Sequence, residues 1–153
     1  MRHLLLLAAL IVTPAFAQDL PDYLDDRSTA EAVIRSYYNA IDRKEYARAY
    51  SYYGTGGGPE FESFAAGYSD TASVAVSLGE VVGDGAAGSS YFTVPVALAV
   101  SRTDGSKVGY SGCYTLRLVQ PANQIEPPFQ GIHIETAKLA EVKKDDPAPA
   151  TCS

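Results

Sequence analysis

Tryptophan is missing from this 153-residue chain, methionine occurs once, and histidine and cysteine occur twice each. His3 lies in an N-terminal segment that reads as removable, which leaves His133 as the only imidazole. One histidine with two cysteines falls short of the ligand set a zinc site usually draws on, so neither a metal nor another cofactor is expected. Clusters of basic residues are missing too: 12 Lys and Arg are scattered against 18 Asp and Glu, for a net charge of −6. Such a balance repels phosphate backbones and anionic lipid and excludes nucleic acid as an expected partner. The apolar run at residues 4–12 is nine residues long, well short of the roughly 20 needed to cross a bilayer core.

That run instead fits an export signal. Met1, Arg2 and His3 form a short basic start, and Thr13-Pro14-Ala15-Phe16-Ala17 follows the run with small residues at Ala15 and Ala17. Residues 1–17 are therefore expected to be a signal peptide cut between Ala17 and Gln18. No cysteine follows the run to accept a lipid, so no membrane anchor is expected after cleavage. Loss of Arg2 leaves 11 basic against 18 acidic residues, a net charge near −7. A secreted or periplasmic setting is oxidising, and there a lone pair of cysteines, Cys113 and Cys152, is expected to be bridged. Closing a loop of that length stabilises a fold by about 4 kcal/mol on the chain-entropy account.

The remainder has the length of one domain. Residues 18–27 carry four aspartates without a clear period and read as a lead-in segment. Ser28-Thr29-Ala30-Glu31 has capping-box spacing, with the Ser28 hydroxyl placed to accept the Glu31 amide. Ala30, Val33, Ile34, Tyr37, Tyr38 and Ile41 then form a helical stripe. A second short helix is expected at residues 46–53, where Tyr46, Ala49, Tyr50 and Tyr53 recur, and Pro59 is placed to open a third carrying Phe61, Phe64, Ala65 and Tyr68. Asp42 and Asp70, at helix ends, read as turn residues.

From Thr71 the period changes to two. Residues 72–78, 92–100 and 108–118 read as amphipathic strands with even positions facing the core, and residues 131–142 as a last strand after a proline-rich connection. Asp104-Gly105 marks a hairpin turn, and Pro95, which has no ladder donor, points to an edge or a bulge. Residues 143–153 read as an irregular tail. Helices first and strands afterwards make an α+β domain over residues 28–142, with the helices packed on an antiparallel sheet of about four strands.

The long first helix with Ile34-Arg35-Ser36-Tyr37-Tyr38, the short second helix, the helical Phe61 to Tyr68 and the long strands after them resemble the nuclear transport factor 2-like superfamily. The resemblance implies a cone, with a curved sheet wrapped on the helices and often a pocket inside. It also implies either a noncatalytic binding or accessory role or an isomerase- or dehydratase-like activity.

The motifs that could carry chemistry are few. Gly83-Asp84-Gly85-Ala86-Ala87-Gly88 has the glycine spacing of a dinucleotide fingerprint, but strand rather than helix follows it, so it reads as a flexible hairpin loop. Thr55-Gly56-Gly57-Gly58 lacks the Lys-Ser/Thr ending of a phosphate loop. Gly109-Tyr110-Ser111-Gly112-Cys113 has Cys113 where a nucleophile elbow needs glycine. His133 and Glu135 stand two apart on a strand and could pair as acid and base, although Ile132 and Ile134 take the better core face and put that pair on the outer surface.

Tyrosine is the least ordinary feature, with 11 in all and six of them at positions 37, 38, 46, 50, 52 and 53. If the helices close over a cone, Tyr37, Tyr38, Tyr50, Tyr53, Phe61, Phe64, Tyr110 and Tyr114 would line a pocket for a small apolar or aromatic ligand; packed without a cavity, the same rings are simply core. The odd strand face, with Ser73, Ala75, Ser77, Pro95, Ala97, Ser111 and Cys113, is small and uncharged, unlike an exposed sheet face. Two arrangements would cover it: the tail drawn across by a Cys113–Cys152 bridge, or a homodimer. The sequence favours an exported, noncatalytic domain that binds a small molecule or an envelope protein. The alternatives are an acid–base enzyme using His133 and Glu135, and an interaction or inhibitor module.

Overall fold

The computed structural model describes residues 20–152, so the expected signal peptide and the expected Ala17–Gln18 cleavage site lie outside the described residues. Three helices come first: α1 (Ala30–Asp42), α2 (Tyr46–Tyr50) and α3 (Phe61–Gly67). Five strands follow: β1 (Thr71–Leu78), β2 (Val82–Ala86), β3 (Ser89–Arg102), β4 (Lys107–Val119) and β5 (His133–Val142). The α+β class is thus as the sequence indicates, with the helices packed on an open antiparallel sheet. No helix among the described residues is long and apolar enough to cross a membrane.

Helix α1 is amphipathic for the reason its spacing indicates: Ala30, Val33, Ile34, Tyr37, Tyr38, Ala40 and Ile41 are all buried. Its cap differs from expectation. The Asp26 carboxylate accepts the Ser28 N–H at 2.9 Å, which holds Ser28 in the preceding segment, and Thr29 caps the helix by accepting from Ala32 N at 3.1 Å. The third helical position is then Ala32, so Glu31 closes no capping box. Helix α2 stops at Tyr50 instead of Tyr53, and α3 begins at Phe61 with the Glu60 carboxylate, not Pro59, at its start.

The lead-in segment is an ordered strap across α1 and α2. Asn39 accepts from Leu24 N at 3.0 Å and donates to Asp22 O at 2.8 Å; the buried Ser36 hydroxyl bonds both Asp26 N and Asp26 O. Arg48 donates to Leu24 O and stacks 4.5 Å over the Tyr23 ring, while Arg27 lies 4.0 Å over Tyr52. The Tyr52 hydroxyl donates to the Asp25 carboxylate at 2.6 Å. Burial opposes the Asp25 charge, but hydrogen bonds from Tyr52 and Arg27 outweigh it and hold this carboxyl below its ordinary range.

The sheet runs β1-β3-β4-β5, every neighbour antiparallel, with β2 also paired to β3. β4 occupies one side of β3 along its length, so β1 and β2 share the other side, β1 against residues 96–102 and β2 against residues 89–93. The fifth strand corrects the expected count of about four. The segment read as a flexible loop is largely β2, joined to β3 by the two-residue turn Ala87-Gly88, both at positive φ (47° and 75°). Two positive φ values match the right-handed twist of a tight hairpin. Pro95 sits on an interior strand, not an edge. Its carbonyl accepts from Gly79 N at 2.9 Å, so its missing N–H faces the interval between β1 and β2, where no ladder donor is called for.

Parity holds across β1, β3 and β4: Val74, Val94, Val96, Leu98, Tyr114 and Leu116 are buried beneath the helices. On β5 a bulge intervenes, since Thr115 opposes Thr136 whereas Leu116 opposes Ile134. Glu135 is the extra residue, and beyond it Ala137, Leu139 and Glu141 take the helix-side face.

On the opposite face, Cys113 and Cys152 form a disulfide with a Cα–Cα distance of 6.0 Å, and the tail crosses the sheet. Pro147 is buried, the Ser111 hydroxyl donates to Ala148 O at 3.0 Å, and a Cβ on Gly79 would meet Pro149 at 3.3 Å. Gly109 permits the closest approach, because a Cβ there would collide with the backbone carbonyl of Lys144. The tail covers Pro95 and Ala97 but leaves Ser73, Ala75 and Ser77 of β1 exposed. The disulfide indicates a compartment in which thiols oxidise.

Candidate functional site

Packing the helices on the sheet leaves a cleft of about 400 Å³ between α3 and the ends of β1, β3, β4 and β5. Its apolar floor comes from Val74, Leu98, Val100 and Leu139. Tyr38 of α1, Tyr53 after α2, Phe64 of α3, Tyr68 directly after α3, and Tyr110 of β4 supply aromatic walls. Phe64 touches Tyr53 and Tyr68 with ring centroids 6.0 and 5.3 Å apart, at 85° and 67° between planes. Edge-to-face contacts of this kind fix ring positions beyond what area burial alone achieves.

Tyrosine hydroxyls satisfy one another inside this shell. The Tyr38 and Tyr114 hydroxyls lie 2.6 Å apart, and those of Tyr37 and Tyr68 lie 2.8 Å apart. Burial pushes Tyr37, Tyr38 and Tyr114 well above the ordinary phenol range and Tyr68 up to about 12. These groups are therefore neutral at physiological pH and serve as donors and acceptors, not as bases. The rim carries charge: Arg102 Nη1 donates to Asp70 Oδ2 at 2.7 Å, with the two side chains 36% and 52% exposed.

Of the expected pocket residues, Tyr38, Tyr53, Phe64 and Tyr110 line the cleft. Tyr37 and Tyr114 lie beneath it, fully buried in the core. Tyr50 and Phe61 pack on each other at 5.3 Å and on Phe64 behind the cleft wall, without lining the cleft; Tyr50 borders a second groove along residues 54–58, and its hydroxyl donates to Pro59 O. Sequence reasoning missed Tyr68, Leu139, Asp70 and Arg102 as site residues. Tyr68 was legible as a stripe position, but no pattern links Asp70 to Arg102, and the bulge that turns Leu139 inward leaves no mark in the sequence.

His133 and Glu135 are outside the cleft. His133 opposes Arg117 on the face away from Ile134, its Nδ1 lies 2.9 Å from Gly131 O, and its ring fills the space where a Cβ on Gly54 would stand. Glu135 reaches Arg117 at 3.4 Å. The two side chains have separate partners and do not form an acid–base pair. Among the described residues, no group of three or more His, Cys, Asp or Glu is arranged to hold a metal ion. Neither a known family model nor a curated protein matches this chain.

Proposed function

We propose that this protein is an exported, noncatalytic binding domain that takes a small apolar or ring-bearing molecule into the cleft beneath α3. The observation that carries this reading is the composition of the cleft: aromatic walls on an aliphatic floor, with charge confined to the rim. Ligand pockets have this make-up, apolar surface with a few polar groups that orient the guest. The buried phenols are tied to one another and held neutral, and His133 and Glu135 are on the other face of β5, so an acid–base role for that pair has no access to the cleft. Membership of the nuclear transport factor 2-like superfamily, with its cone, belongs to the same proposal and is supported by the order of helices and strands. Export is supported by the disulfide and by the N-terminal sequence.

Native mass spectrometry of protein purified from its own compartment tests the reading. A small molecule should be retained, and Val100→Phe, which narrows the cleft, should lose it while still unfolding cooperatively. Repeated preparations without a guest, together with no binding from a library of ring compounds, would remove the proposal.

A second reading, an interaction module, is favoured by the connection between β4 and β5. There Ile125 and Phe129 are 88% and 66% exposed, although Gln124 and Gln130 brace the loop by hydrogen bonds to each other and to Val119 and Thr55. A rigid loop that displays its largest apolar side chains has the form of a protein contact. Crosslinking in the native compartment should then yield a discrete adduct that Ile125→Ser with Phe129→Ser abolishes.

A further inference from the structure

Resting on the cleft as the binding site, we infer that it selects organic monocations, ring-bearing amines or quaternary ammonium groups, over neutral or anionic molecules of the same shape. The walls supply the attraction. Rings of Tyr38, Tyr53, Phe64, Tyr68 and Tyr110 surround the space in differing orientations, and the negative faces of aromatic rings attract cations. The deep hydroxyls of Tyr38 and Tyr68 are engaged by Tyr114 and Tyr37, so a neutral polar guest gains little from them.

The rim adds to this preference. Asp70 stands at the mouth, paired to Arg102, and Glu141, which opposes Tyr110 across the β4–β5 ladder, lies on the same side of the sheet beyond the residues that line the cleft. Against these two carboxylates stands Arg102, already engaged by Asp70. Lys44 donates to the carbonyls of Thr71 and Ala72 and borders a different groove beside Asp42, and Lys107, opposite Ser101, takes the other face of the sheet. The chain as a whole carries a net charge of −6, which raises the local concentration of cations and lowers that of anions.

The test compares three probes of matched size: benzyltrimethylammonium, its neutral isostere neopentylbenzene, and phenylpropanoate. Each is titrated at low salt into isotope-labelled mature protein and followed by the resonances of Tyr53, Tyr68 and Tyr110. The cation should bind roughly two- to thirtyfold more tightly than the isostere, the range that cation–aromatic contacts support, and phenylpropanoate least tightly. Asp70→Asn combined with Glu141→Gln should narrow the ratio between cation and isostere, as should raised ionic strength. Equal affinity for cation and isostere, or tighter binding of phenylpropanoate, would overturn the charge preference while leaving the cleft as a binding site. A ratio unchanged in the double variant would overturn the part assigned to the rim. No perturbation of the cleft resonances by any probe would count against the binding site itself.

Discussion

Raising the pH above 10 should unfold this protein through its buried phenols. Tyr68 illustrates the size of the effect, since burial moves its hydroxyl from the ordinary 10.0 up to about 12. A group whose folded pKa is raised contributes stability that is fully present below the unfolded pKa and is lost as pH rises through the folded one. Over the interval from 10 to 12 the unfolded chain releases this proton and the folded chain keeps it, at about 1.4 kcal/mol per pH unit, or roughly 3 kcal/mol for Tyr68 alone. Tyr37, Tyr38 and Tyr114 shift in the same direction, so their contributions fall together. Against a total stability of about 5–15 kcal/mol, that loss is enough for a cooperative transition. The absence of tryptophan makes the assay clean, because near-ultraviolet absorbance reports tyrosinate alone. Tyrosinate formation should be biphasic, with the second phase coinciding with loss of far-ultraviolet circular dichroism. Complete ionisation of all 11 tyrosines with native circular dichroism retained would refute the reasoning, because it would mean that the hydroxyl pairs are open to water.

Other perturbations test other parts of the structure. Replacing Cys113 and Cys152 by alanine removes a cross-link across 39 residues and should lower the urea-unfolding free energy by about 3–4 kcal/mol, less whatever strain the bridge carries; a loss below about 1 kcal/mol would contradict the chain-entropy account. Tyr38→Phe and Tyr114→Phe should each cost about 1–3 kcal/mol by leaving the other hydroxyl unpaired, and the double variant should cost less than the sum of the two, as a thermodynamic cycle by chemical denaturation would show. Ser36→Ala should free the strap at Asp26, which limited proteolysis would reveal as faster cleavage within residues 20–28, with a stability loss of about 1–2 kcal/mol.

Much of the architecture was legible because it depends on local periodicity. The stripe from Ala30 to Ile41 names the face α1 buries, and strict alternation in β3 and β4 names the core side of the sheet. Such patterns survive folding because side-chain direction follows from the backbone conformation of each residue. Features created by a neighbour were not legible. β2 is rich in glycine and has weak strand propensity, yet pairing with β3 makes it a strand. Ser28 has the right chemistry for a cap, but Asp26 reaches its amide first.

The candidate site divides in the same way. Helical spacing brought Tyr37, Tyr38 and Phe64 toward one region, but spacing sets a direction and not a depth, so it could not tell Tyr37 in the core from Tyr38 at the cleft wall. The sequence by itself determined an acidic chain of α+β class with one cysteine pair, since charge, period and composition are properties of the residues alone. Only the tertiary structure decided that a bulge at Glu135 turns Leu139 inward, that Asp70 meets Arg102 across 32 positions, and that a cleft opens between α3 and the sheet, because each depends on how separate elements dock.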